Sequence, residues 1–167
     1  MGGGVNTAVM FSSATDEWET PLEVFEQYRR EFDLCVDVAA SRENRKCLDY
    51  FGLDNHIESR RDGLTADWSQ FGSLSRCWMN PPYSRGLQGK FIAKAAEERR
   101  RGVLTVALLP ARTDTKAFHA HIWDASKHTT REGVEIRFLP GRLKFGGATN
   151  SAPFPSMVVV FRPWRPS

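Results

Sequence analysis

Residues 103–109 read Val-Leu-Thr-Val-Ala-Leu-Leu and stop at Pro110. A near-continuous apolar run of this length is how a strand buried on both faces reads, and a proline cannot extend a central ladder. A strand covered on both faces needs helices above and below it, and the chain supplies candidates. Phe91, Ile92, Ala95 and Ala96 fall on one helical face, with Gly102 as the stop. Leu22, Phe25, Tyr28 and Phe32 follow helical spacing after Thr20-Pro21-Leu22-Glu23. There Thr20 is expected to cap, Pro21 to take the first helical position, and Glu23 to complete a capping box. Thr113 and Asp114 are expected to open a third helix, with Phe118 and Ile122 turned inward. Leu34, Val36 and Val38 alternate as a strand, and residues 134–139 and 157–161 form two more with no helix between them. Residues 42–66 are polar and carry no clear period. The pattern predicts an α/β domain whose mostly parallel sheet ends in an antiparallel strand pair.

Composition narrows the class. A chain of 167 residues with 26% charged residues and a net charge of +3 is ordinary for one globular domain. Residues 1–14 read as a flexible Gly- and Ser-rich arm, 15–162 as the domain, and 163–167 as a tail. The three cysteines, Cys35, Cys47 and Cys77, form no C-x-x-C pair, which argues against a disulfide framework or a zinc site. His119 and His121 lie two apart and do not share a helical face, so no metal is expected. No stretch approaches the roughly 20 apolar residues of a membrane span, and the start carries no basic leader. An intracellular protein without membrane contact is expected. The basic run Arg99-Arg100-Arg101 falls at a predicted helix end, where cations complement the carbonyls.

The chemistry is concentrated in Asn80-Pro81-Pro82-Tyr83, which follows the short apolar segment Cys77-Trp78-Met79. Open α/β sheets bind ligands just beyond the carboxyl ends of their strands. An exocyclic amine conjugated to an aromatic ring is a poor nucleophile. Two acceptors on its hydrogens would draw it toward tetrahedral geometry and aim its lone pair. The Asn80 side-chain oxygen is one such acceptor. The Pro81 carbonyl is the natural second, held by two prolines of restricted φ. Tyr83 offers a flat face on which a planar group can stack.

With these residues the chain resembles the AdoMet-dependent DNA adenine-N6 methyltransferases, most closely the short phage-encoded, Dam-like family. Trp18-Glu19-Thr20-Pro21, Asp37-Val38-Ala39-Ala40, Asp62-Gly63-Leu64, Asp67-Trp68 and Gly141-Arg142-Leu143-Lys144-Phe145 look like family blocks in family order. So do residues 109–115 and 152–156. The resemblance implies a Rossmann-like methyltransferase domain, S-adenosylmethionine as cofactor and DNA as partner, in the cytoplasm of a bacterial or phage-infected cell. The oligomeric state is left open. By the same resemblance Thr20 and Pro21 would contact the methionine end of the cofactor. Asp37 and the turn at Ala39 and Ala40, which stands where such folds usually carry glycines, would anchor it. Asp62 or Asp67 would accept its adenine amine, and Asp49, Asp54 and Glu58 are candidates for its ribose.

Residues 140–155 form a long Gly- and Pro-rich connection, and loops of this length are usually functional. Arg142 and Lys144 are expected to meet DNA phosphates, Gly146-Gly147 to give a flexible tip, and Phe145 or Phe154 to lie against the flipped base. Methyl transfer to RNA or to a protein glutamine amide would use the same Asn80 geometry. A nucleic-acid-binding remnant without catalysis is the non-enzymatic alternative.

Overall fold

The computed structural model describes residues 18–84, 86–146 and 150–165. The expected arm at 1–14, Gly147 and the last two residues of the expected tail lie outside them. Eight strands are described: β1 (Val36–Asp37), β2 (Asp49–Tyr50), β3 (Arg76–Met79), β4 (Leu104–Pro110), β5 (Trp123–Asp124), β6 (Thr129–Thr130), β7 (Val134–Phe138) and β8 (Ser156–Phe161). Three α-helices accompany them: α1 (Leu22–Phe32), α2 (Leu87–Glu98) and α3 (Lys116–His121).

Six strands form one sheet in the order β2-β1-β3-β4-β8-β7. The first four run parallel. β8 enters between β4 and β7 and runs against both. The antiparallel pair is therefore not a hairpin appended to the edge: the later strand is the inner one. Its composition accounts for this. All six residues of β8 are buried, whereas β7 ends on exposed Phe138 and carries Glu135 and Arg137. Charges on an edge strand disfavour further pairing.

The period of two along the strands divides the core. Cys77 and Met79 of β3, Ala107 and Leu109 of β4, and Val159 and Phe161 of β8 pack with Phe91, Ile92, Phe118 and Ile122. Trp78, Val106, Leu108, Val158 and Val160 pack on the other face with Phe25 and Tyr28. Thus α2 and α3 cover one face, and α1 covers the other together with Leu143, Phe145, Ala152 and Phe154. Burial of Phe25 and Tyr28 contributes roughly 2 kcal/mol each to docking α1. A fork from Arg137 to Glu31, at 2.6 and 2.7 Å, ties the far end of α1 to β7.

Several local expectations change. Thr20 does not cap α1: Pro21 occupies the N-cap position, no side chain caps the helix, and Leu22 is exposed. α3 is capped by Thr115, whose side chain accepts from the Phe118 amide, and not by Thr113 or Asp114. Only Val36 and Asp37 of the 34–38 segment enter the ladder. The unassigned residues 42–66 contribute β2 and a short 3-10 turn, Glu58–Arg60. After α2 the chain makes one more 3-10 turn, Arg99–Arg101, and stops at Gly102 with φ 85°. Arg99 is buried, and its guanidinium donates to the carbonyls of Glu132 and Arg162 at 2.7 and 2.6 Å. It crosslinks two loops and does not cap its own helix. Among the described residues no helix is long and apolar enough to cross a membrane.

Candidate active site

A cavity of about 630 Å³ opens at the carboxyl ends of β1 and β3, within the roughly 300–1,000 Å³ of small-molecule sites. Asp37 closes β1 and lines this cavity while only 3% exposed. Its carboxylate accepts from the backbone amides of Ala39 at 3.3 Å and Lys46 at 3.0 Å. Burial raises its pKa to about 6, and the two amides restrain the rise.

The turn after β1 has alanines where a close ligand approach favours glycine, and the glycines stand opposite it. A Cβ on Gly52 would lie 1.8 Å from the Ala40 carbonyl oxygen, and one on Gly63 would lie 2.1 Å from that of Val38. Both glycines line the cavity beside Ala39 and Ala40. They let the segments after β2 and before β3 close against the turn. Gly63 lies inside one of the sequence blocks, but only its position across from Val38 shows its use.

The acidic candidates separate. Asp62 lines the cavity, exposed, and accepts from the Leu64 amide at 2.8 Å. Asp67 lies away from it, where it caps the 3-10 turn Trp68–Leu74 through the Ser69 amide and pairs with Arg101 at 3.5 Å. The Ser69 hydrogen bond holds its carboxyl below the usual range. Of Asp49, Asp54 and Glu58 only Asp54 reaches the cavity, where it accepts from the Arg42 amide and the Tyr50 hydroxyl.

Asn80, Pro81 and Pro82 follow β3 directly and form the adjoining wall. Both amide hydrogens of Asn80 are engaged, because Nδ2 donates to the Trp18 carbonyl and to Thr20 Oγ1 at 2.9 Å. Its Oδ1 faces the Tyr83 hydroxyl at 3.2 Å, and that hydroxyl also reaches the Leu108 carbonyl at 3.4 Å. Burial pushes the Tyr83 phenol up, so it stays protonated and donates. Thr20 is 3% exposed and lines the cavity; Pro21 does not line it.

Beyond Asn80 lies a cluster of four aromatic rings. Trp18 meets Phe145 and Phe154 edge-on, each at 5.4 Å between centroids. Tyr83 meets Phe154 at 5.4 Å and Phe145 at 6.4 Å. Both phenylalanines are buried in this face of the core, while Arg142 and Lys144 of the same connection are exposed. Phe154→Ala is therefore expected to destabilise the fold by about 3 kcal/mol, as large-to-small changes in cores do. Calorimetric melting should show a fall of roughly 10 °C. An unchanged melting temperature would mean that the ring does not hold this face together.

The sequence points to Thr20, Asn80, Tyr83, Phe145 and Phe154 separately, and the fold brings them together. Trp18 opens one of the sequence blocks, but no sequence signal marks its part here, because it contributes a backbone carbonyl. Among the described residues there is no group of three side chains placed to hold a metal ion.

Comparison with known proteins gives a consistent result. The family model described as DNA N-6-adenine-methyltransferase (Dam) matches residues 7–167. A protein of Haemophilus phage HP1 (strain HP1c1) named DNA N-6-adenine-methyltransferase is 33% identical over 159 residues, covering 92% of this chain and 83% of its own. One of Escherichia phage T1 with the same name is 33% identical over 118 residues, covering 69% of this chain and 43% of its own.

Proposed function

The chain belongs to the DNA N-6-adenine-methyltransferase (Dam) family, and we propose that it transfers a methyl group from S-adenosylmethionine to N6 of an adenine flipped out of DNA. The domain doing so spans residues 15–162, is Rossmann-like in its parallel half, and works in the cytoplasm of a bacterial or phage-infected cell. The observation that carries the reading is the orientation of the Asn80 amide. With both hydrogens of Nδ2 taken by Trp18 and Thr20, the acceptor oxygen, which also receives the Tyr83 hydroxyl at 3.2 Å, keeps a second lone pair for a ligand.

The cavity residues fit the cofactor. A buried carboxylate faces the cavity at Asp37, and the 38–40 turn is backed by two glycines whose Cβ atoms would fill its space. Asp37 would meet a cationic part of the cofactor, Asp54 its ribose and Asp62 its adenine amine, with Ala39, Ala40 and Thr20 along the wall. When bound, AdoMet supplies a methyl group already activated by its sulfonium.

Asn80 Oδ1 accepts one N6 hydrogen of the target base, and the Pro81 carbonyl accepts the other. Together they draw the amine toward tetrahedral geometry and aim its lone pair. This is catalysis by positioning and preorganised dipoles. No strong base is needed, because the amine becomes acidic as its new bond forms and sheds its proton afterwards. Tyr83, packed edge-on against Phe145 and Phe154, supplies an apolar face on which an extruded base can stack. Arg142 and Lys144 contribute phosphate contacts, which add affinity and little sequence information.

The test is methyl transfer from labelled AdoMet to DNA, RNA and protein in parallel, with mapping of modified adenines in the DNA. N6-methyladenine in DNA is the expected product. Label confined to RNA or protein would overturn the assignment of substrate, and no label in any of the three would overturn the assignment of activity.

A further inference from the structure

The Asn80 amide poses a problem of orientation. Its two ends have nearly the same shape, and a half-turn about the terminal bond exchanges them with little steric change. The exchange is nonetheless decisive for chemistry. With Oδ1 toward the base, Asn80 accepts from the N6 amine and supports its lone pair. With Nδ2 there, a donor faces a donor. Within the strand–turn segment that carries Asn80 the prolines constrain only the backbone, and the Tyr83 hydroxyl 3.2 Å from Oδ1 does not settle the choice, because a hydroxyl can donate to Oδ1 or accept from Nδ2.

The settling groups come from 60 and 62 residues away in the chain. The Trp18 carbonyl can only accept, so it tolerates Nδ2 and repels Oδ1. Thr20 Oγ1, a hydroxyl that could serve either end of an amide, takes the second hydrogen at 2.9 Å once the Trp18 carbonyl has fixed Nδ2 on this side, and is itself 3% exposed. A buried N–H left without an acceptor is costly. The two acceptors are held firmly. The Glu19 carbonyl between them accepts from the Gly146 amide at 3.0 Å, and the Glu19 carboxylate pairs with Lys46 at 3.0 Å. The Trp18 ring packs edge-on against both Phe145 and Phe154.

We propose that Thr20 is a positioning residue for methyl transfer: with the Trp18 carbonyl it clamps the Asn80 amide so that Oδ1, and not Nδ2, faces the target amine. The role rests on the assignment of Asn80 as the acceptor for that amine. It is distinct from contact with the cofactor, which the place of Thr20 in the cavity wall also permits. The two make different forecasts for substitution.

Thr20→Val removes the acceptor and keeps the shape. Single-turnover transfer to DNA is expected to slow about tenfold, the size of one lost hydrogen bond of this kind. The Kd for AdoMet, measured calorimetrically, and the KM for DNA stay within about twofold of wild type. Thr20→Ser restores most of the rate because it restores the oxygen. In an Asn80→Ala background, Thr20→Val adds no further loss, since residues that act through one another are not additive. Thr20→Ala, which removes the hydroxyl without placing a new methyl beside the amide, must give the same coupling. Melting temperatures of all variants are recorded alongside.

Equal losses in the two backgrounds would overturn the proposal. So would a loss accounted for wholly by weaker AdoMet binding, or a Thr20→Ser protein as slow as Thr20→Val. A wild-type protein that forms no N6-methyladenine fails the activity assignment instead, which separates the two outcomes.

Discussion

An Asn80→Ala variant is expected to lose at least about a hundredfold in the rate of adenine methylation while AdoMet binding is nearly retained. The magnitude is that of deleting one preorganised polar group aimed at a reacting centre. The separation of effects follows from geometry. Asn80 stands in the wall of the cavity, but its hydrogen bonds run to Trp18, Thr20 and Tyr83 and to none of the cavity carboxylates. The truncation also orphans the Trp18 carbonyl and the buried Thr20 hydroxyl, so a loss of about 1–3 kcal/mol in stability accompanies it. Turnover is therefore measured well below the melting temperature of the variant, beside calorimetric titration with AdoMet. Near wild-type turnover on DNA would sink the mechanism.

The second large effect belongs to Asp37. Asp37→Ala is expected to weaken AdoMet binding about thirtyfold, corresponding to about 2 kcal/mol for a hydrogen-bonded buried charge. DNA affinity should change little. Acidity gives a second readout. The Asp37 carboxyl titrates near 6 in the folded protein, raised by burial from 3.8. A group raised in this way contributes stability that is complete below its unfolded value and is lost as pH rises through about 6. The loss on this group's account is on the order of 3 kcal/mol. A cation bound beside it favours the ionised form, so affinity for AdoMet should strengthen as pH rises from about 5 to 7. In Asp37→Asn that dependence should flatten, while the melting temperature of the free wild-type protein, relative to Asp37→Asn, should fall across pH 4 to 6. Cofactor affinity that follows the same pH profile in wild type and Asp37→Asn would place the anchor elsewhere.

Local pattern was enough to read β4 and β8, because strands buried on both faces are apolar at nearly every position. It was enough to place Asn80-Pro81-Pro82-Tyr83 just past a strand end, because two prolines stop a ladder wherever they occur. The inward faces of α2 and α3 followed from spacing alone, since Phe91, Ile92, Ala95, Phe118 and Ile122 are all buried.

Other features depended on partners distant in the chain. Thr20 carries the local signature of a helix cap, yet its oxygen is taken by Asn80, whose unpaired amide would cost more than an uncapped helix. Asp62 and Asp67 are five residues apart and chemically identical. Only the turn at Trp68, which needs Asp67 as its cap, sends one of them away from the cavity. Gly52 and Gly63 reveal their purpose only against the carbonyls of Ala40 and Val38. Spacing along a chain encodes the period of a helix or strand. Which acceptor a given hydrogen finds is set by closure of the whole fold, because each buried polar group takes the best partner that packing brings within reach.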